Sequence, residues 1–159
     1  MNQTRVITDH ELAVLHYSHV TNQNSLHATV ALDPGQIFSS FRKGALHEKP
    51  TRFTIQVGET EHIELQPVFL QFINHSCKPN LFFDIVLMQL TCLEKINPGD
   101  ELSYFYPSTE WKMQEPFYCH CNKGSCLGKI TGAAFLPQHL ISHYKFTPFI
   151  LNKIRTTQQ

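Results

Sequence analysis

Three thiols within one short stretch, Cys119-His120-Cys121-Asn122-Lys123-Gly124-Ser125-Cys126, constrain this chain more than any other feature. Three thiolates do not close a tetrahedral zinc shell, so a C-x-C-x₄-C cluster calls for a fourth donor from elsewhere in the fold. Asn74-His75-Ser76-Cys77, about forty residues upstream, offers one. If Cys77 is that donor, a single metal ties the C-terminal segment to the Asn74-His75 turn and builds a composite site that neither segment forms alone. A redox or disulfide reading competes with the metal reading. His120 could also replace a sulfur, although it points away if both neighbouring cysteines bind. The fifth cysteine, Cys92, lies in the apolar run Val86 to Leu93 and reads as a buried, inert thiol.

At 159 residues the chain has the size of one domain built on a single substantial core. Lys+Arg and Asp+Glu stand at 13 each, so no basic field exists and direct nucleic-acid binding is not expected. Met1 to Ile7 lacks the apolar core of a signal peptide, and no apolar run approaches the roughly 20 residues that cross a bilayer. The expectation is an intracellular protein, cytoplasmic or nuclear and without a membrane partner. Thiols stay reduced there, and clustered cysteines bind metal more often than they pair. The ten histidines are scattered without metalloprotease spacing. Glu59, Glu61 and Glu64 read as a solvated face, or as an acidic groove for a basic peptide. The sequence sets no oligomeric state.

Short β-like stretches fill the first two thirds: Leu12 to Tyr17, Leu26 to Leu32, Gln36 to Phe41, Arg52 to Val57, His62 to Leu65, Leu81 to Ile85 and Val86 to Ile96. Asp33-Pro34-Gly35 and Asn97-Pro98-Gly99-Asp100 punctuate them as turns. Many short strands at close spacing predict small sheets folded over one another, a mainly β fold without a βαβ repeat. Pro137 to Tyr144 has helical spacing, Pro148 is expected to limit that helix, and residues 149 to 154 form a further turn. Thr156 to Gln159 is expected to fray.

Three segments occur in order: Phe72-Ile73-Asn74-His75-Ser76-Cys77-Lys78-Pro79-Asn80, Gly99-Asp100-Glu101-Leu102-Ser103-Tyr104-Phe105-Tyr106, and the cysteine cluster running into Leu127-Gly128-Lys129-Ile130. Together they resemble the SET-domain lysine methyltransferases that carry a post-SET zinc motif. The first segment is similar to that family's R-F-x-N-H-S-C-x-P-N, with Gln71 for the usual Arg. The second is similar to G-E-E-L-T-Y/F-D-Y, with Phe105 for the usual Asp. The third is similar to C-x-C-G-x₃-C-R-G-x-I. Coverage runs from about residue 25 to 132. The resemblance implies a β-clip architecture of small curved sheets with a pseudoknot-like crossing, followed by a zinc-bound post-SET segment and a short helix. It divides the chain into an N-terminal strand segment (1–24), a SET core (25–116, with an insert-like region at 44–66), the zinc motif (117–132) and a helical tail (133–159).

The roles it implies are specific. Asn74 and the His75 backbone would hold the amino and adenine groups of S-adenosylmethionine (SAM), with Phe117 and Leu127 flanking the cluster where apolar groups pack on the adenine. Tyr106 would be the active-site tyrosine, also facing the cofactor. Tyr104 would set how many methyl groups are added, a Tyr there implying mainly monomethyl product. Cys77, Cys119, Cys121 and Cys126 would hold the structural zinc. The family's N-terminal G-x-G should fall near Ser25 to Gly35, which nominates Leu26 and His27 as cofactor-binding residues. This chain has no glycine before Gly35, and Asn22 or Asn24 is the expected substitute because asparagine tolerates positive φ.

The chemistry asks little of acids and bases. A sulfonium methyl is electrophilic, so the protein has to align a nucleophile with it, and alignment contributes roughly 7 to 11 kcal/mol. The nucleophile is a neutral amine, whereas free lysine has a pKa of about 10.4. An apolar aromatic channel beside the sulfonium charge lowers that value, and Phe72, Tyr104, Phe105 and Tyr106 supply wall material. Taken singly, each residue has a structural reading: alternating aromatics on a strand, an asparagine turn cap, a satisfied histidine. Their joint occurrence favours a SAM-dependent lysine N-methyltransferase acting on a protein or peptide, histones included. The alternatives are the same chemistry on free lysine, a polyamine or a small peptide product, and an inactive SET-like binding module.

Overall fold

The computed structural model describes residues 4–157. The signal-peptide reading at Met1–Gln3 and the fraying of Gln158-Gln159 lie outside that range. Among the described residues no helix is long and apolar enough to cross a membrane.

The strands run in chain order as β1 (Thr4–His10), β2 (Ala13–Ser18), β3 (Gln23–Ala28), β4 (Ile37–Ser40), β5 (Arg42–His47), β6 (Ile55–Gly58) and β7 (Glu61–Gln66). There follow β8 (Asn74–His75), β9 (Leu81–Asp84), β10 (Gln89–Cys92), β11 (Ser103–Tyr104), β12 (Phe117–Tyr118) and β13 (Lys129–Ile130). Two helices, α1 (Gln138–Ile141) and α2 (Pro148–Thr157), close the chain. The fold is mainly β. Its sheets are β1-β2-β3, β4-β10-β9-β11-β8, β5-β7-β6 and the pair β12-β13.

Side-chain alternation explains how these sheets face one another. Ala13 and Leu15 on β2, Leu26 and Ala28 on β3, and Leu90 and Cys92 on β10 point inward at every second residue. Leu81, Phe82 and Phe83 on β9 are all buried, as suits a central strand of a five-stranded sheet. Cys92 is buried in this main core, as its sequence context predicts. A second cluster forms from Phe105, Ala133, Phe146, Ile150 and Ile154 and fastens the C-terminal segment to the strand-bearing body.

Two expectations are corrected. Val86 to Ile96 is not one strand: Asp84 Oδ1 accepts the N–H groups of Val86 and Leu87 (3.0 and 2.9 Å), and Met88 adopts φ 54°. The chain turns there, leaves Val86 and Leu87 exposed, and resumes as β10. Pro148 does not stop a helix but opens one. Its missing N–H is harmless at the first helical position, Leu151 N–H closes onto Thr147 O at 2.9 Å, and Thr156 and Thr157 belong to the last turn. Ile150 and Ile154, four apart, face the second cluster.

The Asn97–Asp100 turn forms as predicted, with Gly99 at φ 91° and Asp100 Oδ2 accepting Asn97 N–H at 2.8 Å. Gly132 is the tighter constraint. At φ 111° its Cβ position lies 2.6 Å from Trp111 O, where the 110–113 and 131–134 segments exchange hydrogen bonds. Gly132→Ala therefore combines a forbidden φ with a backbone clash and should cost about 2 kcal/mol or more. Thermal unfolding should report it as a drop of roughly 5 °C or more; an unchanged midpoint would mean that the two segments are free to separate.

Candidate active site

The site begins with a parallel pairing. Asn74 and His75 of β8 lie beside Ser103 and Tyr104 of β11, and Ser76 N–H donates to Tyr104 O at 3.0 Å. This sets the Asn-His-Ser-Cys turn against the tyrosine-bearing segment. The alternation in Tyr104-Phe105-Tyr106 then separates two jobs. The Tyr104 and Tyr106 rings lie 4.7 Å apart, whereas Phe105 enters the second cluster and stacks on Tyr144 at 3.7 Å. The strand itself ends at Tyr104, and Tyr106 opens a short 3₁₀ turn.

Tyr106 is fixed at both ends. Its hydroxyl donates to Ile73 O at 3.3 Å, and its backbone N–H donates to His75 Nδ1 at 3.2 Å. Burial pushes both tyrosine hydroxyls up from their ordinary value, so they are neutral phenols at neutral pH. Burial also holds His75 down to about 4, leaving the imidazole neutral. Because Nδ1 accepts from Tyr106, the ring proton belongs on Nε2, which lies 3.3 Å from Cys77 Sγ. His75 thus links the cysteine cluster to Tyr106 through its side chain.

The sulfur atoms of Cys77, Cys119, Cys121 and Cys126 all lie within 4.8 Å of one another. Cys77 and Cys119 are 3.8 Å apart across a sequence separation of 42. The β12–β13 pair frames the loop between them, and Cys119 N–H donates to Gly128 O at 2.7 Å. Cys77 Sγ also receives Leu127 N–H at 3.3 Å, while Tyr144 O–H holds Cys77 O at 2.9 Å. Four thiols this close carry strong mutual repulsion once ionised, and burial pushes Cys77 up from its ordinary value. A divalent cation is the counter-charge that relieves both, and N–H···S contacts are the outer support such ligands use. The donor set therefore fits a tetrahedral metal ion. His120 is exposed and lies outside the cluster.

Of the other nominated residues, Phe117 is brought in fully, its ring 5.6 Å from His75 and 5.8 Å from Tyr106. Leu127 joins through its N–H to Cys77. Asn74 Nδ2 donates to Asn24 O (2.8 Å) and Glu101 Oε1 (3.0 Å). Among the described residues Asn24 Oδ1 is buried without a hydrogen-bond partner, on the residue whose carbonyl accepts from Asn74. The positive φ falls on Asn22, at 53°, and Asn24 is ordinary strand. Leu26 and His27 lie on β3, where His27 is bridged to Glu101, the residue whose carboxylate accepts from Asn74. The Leu26 side chain is in the core with its carbonyl taken by Leu102 N–H (2.7 Å). The His27 ring bonds Ser25 Oγ and Gly99 O, each at 3.0 Å.

Three features of the site region are not marked by the motifs: the bridging position of the His75 ring, Tyr144 and Glu110. Glu110 is the only charged residue between Glu101 and Lys112, a signal the sequence does offer. A cavity of about 430 Å³ opens beside Phe105 between Lys78, Glu94, Tyr144 and Lys145, and neither Tyr104 nor Tyr106 lines it.

Comparison with known proteins identifies the family and the fold. Residues 4–107 fit the family model described as the SET domain. The chain is 37% identical over 128 residues to methyltransferase flvH of Aspergillus flavus, covering 79% of this chain and 71% of that protein. It is 28% identical over 98 residues to the H3 lysine-36 specific histone-lysine N-methyltransferase of Saccharomyces cerevisiae, covering 54% of this chain but 13% of that protein. Among solved structures, the methyltransferase domain of human histone-lysine N-methyltransferase SETMAR superposes with a TM-score of 0.50 at 17% identity. That match covers 91% of this chain and 58% of the solved one.

Proposed function

Because this chain belongs to the SET-domain family of methyltransferases, we propose that it transfers a methyl group from SAM to the ε-amino group of a lysine in a protein or peptide, mainly once per lysine. The observation that carries this reading is the convergence of Asn74, His75, Tyr104, Tyr106, Phe117 and four cysteine sulfurs around one parallel strand pair.

When bound, SAM supplies an electrophilic methyl on a sulfonium. Asn74, with the unpartnered Asn24 Oδ1 beside it, would take its polar end, and Phe117, Leu127 and the His75 region its adenine. A zinc ion on the four cysteines would hold the Phe117-bearing segment in place. The Tyr106 hydroxyl gives its proton to Ile73 O, so its oxygen lone pairs are left to accept an N–H from the incoming amine. As a neutral phenol it orients the amine rather than removing its proton.

The experiment is incubation of zinc-loaded protein with labelled SAM and separate pools of histones, other proteins, peptides, free lysine and polyamines. Label on lysine side chains of protein or peptide is expected. Label confined to the free amines would move the acceptor to small molecules, and a protein that binds no SAM would be an inactive relative. The yeast relative is named for histone H3, which makes histones the first pool to try. Tyr104, packed against Tyr106, fills space that a methylated amine needs. Tyr104→Phe should therefore shift products toward di- and trimethyl-lysine; the same distribution by mass spectrometry would remove Tyr104 from that role.

A further inference from the structure

The cavity beside Phe105 takes no part in the chemistry above. None of Asn74, His75, Tyr104, Tyr106 and Phe117 lines it, although it backs onto the sulfur cluster through Cys77 and Ser125. It arises from the alternation that turns Phe105 away from the two tyrosines. Phe105 stacks on Tyr144 at 3.7 Å, and Thr147 N–H donates to Ser108 O at 3.0 Å, which fastens the segment after α1 to the turn after β11. His143 to Lys145 then form one wall, and Leu81 and Phe82 of β9 belong to another. At about 430 Å³ the space falls within the roughly 300–1,000 Å³ of small-molecule sites.

The wall is chiefly apolar, with surface from Leu81, Phe82, Leu93, Phe105 and the Tyr144 ring. Its few polar groups are not all satisfied within the chain. Glu94 is covered by Lys78 at 3.5 Å. Lys145 Nζ lies 4.5 Å over the Phe82 ring, and among the described residues no carboxylate pairs with it. His143 aside, two lysines against one glutamate leave the wall positive. Ser108, also in the wall, is 2% exposed, and its Oγ has no hydrogen-bond partner among the described residues. Thr147 Oγ1, on the residue bonded to Ser108 O, has none either. A buried hydroxyl without a partner costs stability. A guest that accepts a hydrogen bond removes that cost, and a guest with negative charge also answers Lys145.

We infer that this cavity binds a small organic acid with an apolar or aromatic body. The carboxylate lies against Lys145 and the Ser108 hydroxyl, and the body fills the space between Phe82, Leu93 and the Phe105–Tyr144 stack. The lining disfavours other guests. An amine meets Lys145 with like charge, and a purely apolar molecule leaves Ser108 unpartnered. No bond is made or broken there, so this is a binding site and not a second active site. It does not depend on what the chain methylates.

The test titrates isotope-labelled, zinc-loaded protein by NMR with cinnamate, its uncharged isostere cinnamamide and the cation cinnamylamine. Cinnamate should move the amide signals of Phe82, Ser108, Tyr144 and Lys145. It should bind about fivefold more tightly than cinnamamide, the scale of a charged hydrogen bond discounted for an exposed lysine, and cinnamylamine should bind weakest. Lys145→Met keeps the side-chain stem over Phe82 and removes the charge, so acid and amide should then bind within about twofold. Lys145→Gln should behave alike, which rules out a packing effect of methionine. Ser108→Ala should weaken cinnamate by about threefold or more. Its thermal midpoint should not fall, because no hydrogen bond within the chain is lost. Shifts that map away from the cavity, an acid preference that survives either Lys145 variant, or wild-type affinity in Ser108→Ala would overturn the inference.

Discussion

Stripping the metal, or changing Cys119 to serine, is expected to release residues 117–132 from the body of the protein and to abolish SAM binding. The reason lies in what that segment lacks. Tyr118 is exposed, β12 and β13 pair over two residues each, and the stretch from Asn122 to Cys126 is exposed. Such a hairpin does not hold its shape alone. What holds its cysteine-bearing loop is the sulfur cluster, whose fourth member belongs to another part of the chain, while its far end is anchored by buried Ile130 and by the bond from Met113 N–H to Thr131 O. Structural zinc sites in small peptides contribute about 10 to 16 kcal/mol to folding, so losing one ligand is far from neutral. Phe117, 5.8 Å from Tyr106, would leave with the hairpin and take one wall of the pocket with it. Hydrogen exchange should show fast exchange confined to 117–132, with β9 and β10 still protected. Methyl transfer at the normal rate by metal-free protein would separate the cysteines from the active site.

Tyr106→Phe should lower turnover by about a hundredfold or more while leaving the fold intact. The ring keeps its packing against Tyr104, His75 and Phe117, and the backbone N–H keeps its bond to His75 Nδ1. Only the hydroxyl and its 3.3 Å bond to Ile73 O are removed. A single such hydrogen bond contributes about 1 kcal/mol to stability. Misplacing a nucleophile by about 1 Å can cost a hundredfold in rate. The effect should fall on kcat more than on SAM binding, measured by single turnover and by calorimetry. Equal turnover in both proteins would leave the hydroxyl without a catalytic part.

The residues legible in the sequence are those whose chemistry is local or repeated. The cysteine spacing forecast a composite metal site, and Cys77 does lie among the other three sulfurs. The alternation of Tyr104, Phe105 and Tyr106 forecast which rings meet. Turn residues at Asn97–Asp100 marked a real boundary. Elements decided by distant partners were not legible. Pro148 opens a helix because Phe105 offers Ile150 and Ile154 a surface to cover. Phe105, noticed as a departure from the family's aspartate, gained its meaning only when Tyr144 stacked on it and bonded Cys77 O. The motif nominates His75 for the cofactor, but nothing in its neighbours announces that its ring bridges Cys77 and Tyr106. Glu110 is a lone acid whose role depends on β6, more than fifty residues earlier.

X-ray absorption at the zinc edge of the purified protein tests the central claim most directly, that one ion joins Cys77 to the C-terminal cysteines and so builds the pocket. One zinc per chain with four sulfur neighbours at about 2.3 Å is the predicted result. A shell of three sulfurs with a nitrogen or oxygen, unchanged when Cys77 becomes serine, would contradict it.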